Sequence, residues 1–286
     1  MRTSDQAHAQ SRSAFGIAIL VVPLACAFWF VATSLVKQWV DDPNYTHGLF
    51  VIPMAVLLAW RRRKRLAEIP PEESYLGFAV LATGGLIYML GIAAAELLTM
   101  RFSLVVTVFG LVLLTQGWGR TRELMFPLLF LLLMIPIPYI LYYKMTFPLQ
   151  LESSKITAAL LTSLGMPVVR TGNVIHLEGY TLEIVTACSG LRSMMTLGTL
   201  AIFMTEFFRF GKIGNVLFVA LSIPVAVMAN TTRLVLTAGI SAIAGPETAD
   251  SFLHELSGIV VFLAGLVMLA ILAGLIEWIA KRRRVS

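Results

Sequence analysis

The chain has 286 residues, 58% of them hydrophobic and only 13% charged, with a mean hydropathy of +0.83. A water-soluble domain cannot hide that much apolar surface, so the lipid bilayer is the expected solvent. The net charge of +6 does not signal nucleic acid, because the basic residues cluster beside apolar runs, as orientation signals do.

In chain order, about eight apolar segments follow, running roughly 14–36, 46–60, 76–95, 102–118, 124–143, 190–206, 213–232 and 257–279. The first is too long for a signal peptide and lacks a convincing small-residue cleavage site, so no cleavable leader is expected. The second is short and interrupted by Pro53. If the segments alternate across the bilayer, one side collects Arg2, Arg12, Arg61-Arg62-Arg63-Lys64-Arg65, Arg120, Arg122, Arg209, Lys212 and Lys281-Arg282-Arg283-Arg284. Those are 15 of the 22 basic residues; Lys37, Arg101, Lys144, Lys155, Arg170, Arg192 and Arg233 scatter on the other side. The positive-inside rule then puts both termini in the cytoplasm. Trp39, Trp60, Trp118 and Trp278 fall at expected interfaces, as an aromatic belt would. The expectation is a single all-α polytopic membrane domain over 1–286, with about eight transmembrane helices.

Its largest outward-facing piece is 144–189. Lys144 to Gly165 carries Leu149, Ile156, Leu160 and Leu164 among polar residues, the pattern of an interfacial amphipathic helix. Gly172 to Val185 alternates Ile175 and Leu177, then Leu182 and Ile184, around Glu178-Gly179, which reads as a β-hairpin feeding straight into Cys188.

Thr186-Ala187-Cys188-Ser189-Gly190-Leu191-Arg192-Ser193 is the stretch richest in chemistry. It sets a thiol where a helix begins, one turn from a guanidinium, and both the helix N-terminus and the cation favour a thiolate. Cys26, in the first span without polar neighbours, reads as a small buried hydrophobe. The two cysteines lie in different spans, so neither a disulfide framework nor a CxxC metal site is available, and no metal or other cofactor is expected. The histidines (His8, His47, His176, His254) are dispersed as well.

Arg233, in or near a span, costs roughly 2.5–3.5 kcal/mol even on the lenient insertion scale. It requires a snorkelling route, a partner such as Glu255 or Asp250, or a function. Asn230, three residues earlier on the same helix face, is placed to orient it. His254 opens the last span, follows the loop Gly245 to Ser251, and has the pKa range for acid–base work. Together these residues fit one reaction: a thiolate attacks a peptide carbonyl, arginine donates to the oxyanion, and histidine protonates the leaving amine.

With Asp42-Pro43-Asn44-Tyr45-Thr46-His47-Gly48, Pro136-Ile137-Pro138, Ala187 to Ser193, Asn230-Thr231-Thr232-Arg233 and His254 with Gly258, the chain resembles the exosortase/archaeosortase family. That resemblance implies a cysteine transpeptidase or peptidase of the bacterial inner membrane, acting at its periplasmic face. Such an enzyme cleaves C-terminal sorting signals of exported proteins and transfers the new carboxyl end to an acceptor. By motif position Cys188 is the nucleophile, Arg233 the oxyanion stabiliser and His254 the general acid, with Arg192, Asn230 and Ser189 supporting them. Substrate signals of the family carry a short Pro-Glu-Pro-like motif, a hydrophobic span and a basic cluster. Arg170 and Lys155, and more loosely Tyr45 and His47, are the residues expected to meet substrate. Some family members carry a further soluble C-terminal domain, of which this sequence, ending Lys281 to Ser286, shows no sign.

Two rival readings keep the chain non-enzymatic. A transporter or exopolysaccharide-assembly component would use helices broken at Pro136-Ile137-Pro138 and Pro224, but would line a route across the bilayer with polar residues. A scaffold lipidated at Cys188 would want that cysteine on the cytoplasmic side.

Overall fold

The computed structural model describes residues 21–184, 191–208, 210–251 and 257–285. They form two compact units, Met1–Pro136 and Ile137–Ser286.

The first unit contains α1 (Val21–Ala27), α2 (Trp29–Asp41), α3 (Gly48–Arg61), α4 (Arg63–Glu68), α5 (Leu76–Ala93), α6 (Leu97–Glu123) and α7 (Met125–Phe130), closed by a 3-10 turn at Leu131–Met134. Helices α5 and α6 are an antiparallel pair seamed by glycine. A Cβ placed on Gly77 would stand 2.4 Å from the Leu114 backbone, one on Gly84 2.6 Å from Thr107 Oγ1, and one on Gly91 2.8 Å from Met100 Cγ. The three glycines recur every seven residues along one face, so only a residue without a side chain fits this approach. Glu96 starts α6 by accepting from the Leu98 and Thr99 N–H groups and the Thr99 hydroxyl.

Between α2 and α3 the Asp42–His47 loop is a tight turn, as its Asp-Pro-Asn start predicts. Asp42 Oδ1 accepts from the Asn44 backbone at 2.9 Å and from its side chain at 2.8 Å. Trp39 packs on Gly48 and donates Nε1–H to the Met134 carbonyl at 2.9 Å. It is therefore buried (3% exposed) rather than part of an aromatic belt, whereas Trp60, Trp118 and Trp278 are exposed. Cys26 is exposed on α1, not buried as its apolar neighbours led us to expect, because that helix turns this face outward.

The second unit contains α8 (Tyr139–Ser163), β1 (Val169–Thr171), β2 (Val174–Leu177), β3 (Tyr180–Glu183), α9 (Leu191–Met204), α10 (Gly211–Ala244), α11 (Pro246–Ser251) and α12 (Ser257–Val285). The expected hairpin is present, with Ile175 opposite Leu182 and both buried together with Ile184. A third strand, β1, pairs on its far side and makes a three-stranded antiparallel sheet. Gly172 and Gly179 supply the left-handed residue of its two turns. The sheet packs through Ile175, Leu182 and Ile184 onto Leu161 of α8 and Leu234 and Ala238 of α10. A second core joins α9, α10 and α12 through Leu197, Ala201, Phe218, Ala226, Leu269 and Ala273.

Among the described residues, four helices are long and apolar enough to cross a membrane: α5, α6, α10 and most of α12. Two bent pairs, α1 with α2 and 125–134 with α8, bring the number to six if each counts as one span. The other two expected segments form α3 and, in its described part, α9, of 14 residues each. At 1.5 Å per residue, that is about 21 Å against about 30 Å of hydrocarbon. The all-α polytopic class with a small sheet holds.

The expected break between a span at 124–143 and an interfacial helix from Lys144 is displaced. Pro136 and Pro138 end one helix, and α8 runs unbroken from Tyr139 through Pro148.

Candidate functional site

Arg233 is buried, 8% exposed, as is Asn230 three residues before it. The apolar segment expected over 213–232 lies within a longer helix: α10 is 34 residues long and continues eleven residues past Arg233 to Ala244. Its face follows from helical periodicity. Ala226 packs into the core shared with α9 and α12, and Arg233 lies seven residues on, two turns along the same side. Thr237 and Ser241 continue that buried polar stripe.

The level of Arg233 follows from two close contacts. Gly214, near the start of α10, lies against Ile276, near the end of α12, so the two helices run antiparallel. Nineteen residues onward from Gly214 is Arg233, and nineteen back from Ile276 is Ser257, the first residue of α12. Gly265 of α12 meets Leu197 of α9, and six residues back from Leu197 is Leu191, where the described part of α9 starts. Arg233 thus stands about level with the starts of α9 and α12, on the side of α10 against which both pack.

Arg192, the second residue of α9, is half-buried at that level. Cys188, Ser189 and His254 lie outside the described residues. In sequence Cys188 precedes Leu191 by three, and His254 precedes Ser257 by three.

The residues expected to meet substrate are divided between the two units. Arg170 is exposed on β1, and its Nη1 donates to the Gly172 carbonyl at 2.7 Å and to Ser154 Oγ at 3.4 Å. Lys155 is exposed on α8. Tyr45 and His47 belong to the first unit, Tyr45 buried and His47 half-buried. Burial pushes the His47 pKa down, against opposing hydrogen bonds with the backbone of Leu133 and Asn44.

Two features escaped the sequence reading. The buried face of α8 is polar: Thr146, Gln150, Ser153, Ser154 and Thr157 turn inward, while Ile156, Leu160 and Leu164 are exposed. The amphipathic pattern is legible in the sequence, but an interfacial helix would turn its polar side to water, whereas here that side is interior. In the first unit Arg101 is buried, with Nη1 donating to Gln38 Oε1 at 2.7 Å and Nη2 to Ser34 Oγ at 3.5 Å. Gln38 follows Ser34 by one turn on α2, a spacing that marks a shared acceptor face.

The sequence profile of the transmembrane exosortase family matches residues 39–271. The chain belongs to the transmembrane exosortase family. Exosortases are membrane-embedded proteins that process sorting signals, in general as cysteine peptidases or transpeptidases. The matched region runs from Trp39 through the Asp42–Gly48 loop, the Pro136–Pro138 corner and all of α10 into the middle of α12. No curated protein and no solved structure matched the chain.

Proposed function

We propose that this exosortase is a cysteine transpeptidase of the bacterial inner membrane. It cleaves exported proteins at a C-terminal tripartite sorting signal, with Cys188, Arg233 and His254 as its catalytic residues. The observation that carries the reading is Arg233, a guanidinium buried on the α9/α12 side of α10, level with the helix starts next to which Cys188 and His254 fall in sequence.

Depth supports it. From Gly211, beside Arg209 and Lys212, to Arg233 is 22 residues, about 33 Å of helix against about 30 Å of hydrocarbon. With the basic end of α10 in the cytoplasm, Arg233 reaches the periplasmic boundary of the bilayer. The remaining eleven residues, with the sheet packed on Leu234 and Ala238, stand beyond it.

The Cys188 thiolate attacks the scissile carbonyl carbon, and the carbonyl oxygen takes the negative charge. Arg233, oriented by Asn230 and supported by Arg192, donates hydrogen bonds to that oxyanion as it forms. Collapse breaks the C–N bond while His254 protonates the departing amine, leaving a thioester on Cys188. An acceptor amine, or water, attacks the thioester and releases the thiolate. The substrate helix lies laterally in the bilayer, and its outer-end peptide bond arrives at the depth of Arg233.

Co-expression with a tripartite-tail substrate, read by intact mass, tests this. A product cleaved at its C-terminus and carrying added mass, absent with Cys188→Ala, is expected. Cleavage without added mass would restrict the enzyme to hydrolysis. Processing indifferent to Cys188→Ala would overturn the mechanism, and no processing of a matched substrate would favour the transporter or assembly reading.

A further inference from the structure

In the β2–β3 register Asn173 stands opposite Ile184, one pair beyond Val174 and Glu183. A hydrogen-bonded antiparallel pair exchanges two backbone bonds. Here the backbone makes one, with the Ile184 N–H donating to the Asn173 carbonyl at 2.9 Å. The side chain makes the other, as Asn173 Nδ2 donates to the Ile184 carbonyl at 3.1 Å. Asn173 belongs to the turn that begins at Gly172 (φ +64), and its amide takes the place of a ladder N–H. Ile184 is fully buried, so a carbonyl deprived of that donor has little water to turn to. The same turn is tied to α8: Ser154 Oγ and Arg170 Nη1 both donate to the Gly172 carbonyl, at 2.8 and 2.7 Å.

Resting on the reading of Cys188 as nucleophile, we propose that Asn173 is a positioning residue for the thiol. Its amide anchors Ile184, the last described residue before Cys188, and so fixes the origin of the segment that carries the nucleophile. Cys188 follows Ile184 by four residues, at most about 14 Å of chain, so the position of Ile184 bounds where the sulfur can stand. A misplacement of about 1 Å is of the size that costs about 10²-fold in rate. Asparagine is needed because alanine removes the donor, while aspartate keeps the shape and sets an oxygen against the Ile184 carbonyl.

The test uses the full chain in membranes with Cys26→Ala, which leaves Cys188 as the sole thiol. The rate of Cys188 alkylation by iodoacetamide is followed against pH, beside turnover of a tripartite-tail substrate. The unsubstituted side chain should hold the alkylation midpoint below the ordinary thiol value of about 8.5. Asn173→Ala and Asn173→Asp should each raise the midpoint by about one pH unit and lower kcat about tenfold or more, with KM within about twofold. His176→Ala, exposed on the same sheet, should change neither. A midpoint and kcat unchanged in both Asn173 variants would overturn the proposal, as would losses that His176→Ala reproduces. Turnover that survives Cys188→Ala is a different failure: it removes the reading on which the proposal rests, while the alkylation arm still reports on Asn173.

Discussion

Helices α5 and α8 each expose an apolar face and bury the opposite one, yet what they bury differs in kind. The buried face of α5 is Gly77, Gly84 and Gly91, and that of α8 is Thr146, Gln150, Ser153, Ser154 and Thr157. Neither helix follows the rule of water-soluble proteins, in which the apolar face turns inward. Lipid is as apolar as leucine, so a leucine face gains little by leaving it. What is driven inward is a face too bare to fill space against lipid, as in α5, or one too polar to meet it, as in α8. The first kind of seam makes a rigid pair. The second keeps groups able to hydrogen-bond in the interior, and one of them, Ser154, holds the Gly172 turn of the sheet.

The largest effect should come from the polar unit. Arg233→Gln is expected to lower turnover about 10²- to 10³-fold, the range for losing one oxyanion donor, without lowering the yield of folded protein in membranes. A matching collapse in yield would make Arg233 structural and erase the distinction.

The glycine seam should respond in stability instead. Gly77→Val drives a side chain into the Leu114 backbone, and thermal unfolding in detergent should show a loss of about 1–3 kcal/mol or more. Gly85→Ala, on the same helix with nothing within 4 Å, should be neutral or gain up to about 1 kcal/mol. Equal effects at the two sites would refute a sequence-specific seam.

Within α8 two threonines sharpen the point. Thr146 donates to the Tyr142 carbonyl at 2.6 Å, whereas the buried Thr157 hydroxyl has no hydrogen-bond partner among the described residues. Thr146→Val should cost about 1 kcal/mol, while Thr157→Val, which removes an unsatisfied group, should be neutral or stabilising by a similar amount. Destabilisation by Thr157→Val would mean that this hydroxyl serves water or a bound peptide.

The smallest effect is one of pH. Burial depresses the His47 pKa, so the unfolded chain binds this proton more readily than the folded one. The stability of the first unit should be full above about pH 6.5, the unfolded value, and should fall as pH drops toward the folded value. His47→Gln should flatten that part of a stability–pH curve measured by unfolding in detergent. A curve unchanged by the substitution would assign the acid sensitivity elsewhere.

Much of this was legible without coordinates. The apolar runs and basic clusters announce a polytopic membrane chain, because the cost of burying charge in lipid depends on composition alone. The alternation of Ile175, Leu182 and Ile184 predicts the hairpin because a pleated strand has period two whatever surrounds it. Asp42-Pro43-Asn44 predicts its turn from local hydrogen bonding. Tertiary structure decided which face of α8 turns inward, since amphipathicity has an axis but no sign in a protein that meets both lipid and its own polar interior. It decided that Trp39 is buried on Gly48, a contact between residues that the sequence shows only as interfacial. It also decided that Arg233 lies within a long helix, on the side of α9 and α12. Length beyond the hydrocarbon leaves little hydropathy signal, and facing depends on partners distant in the chain.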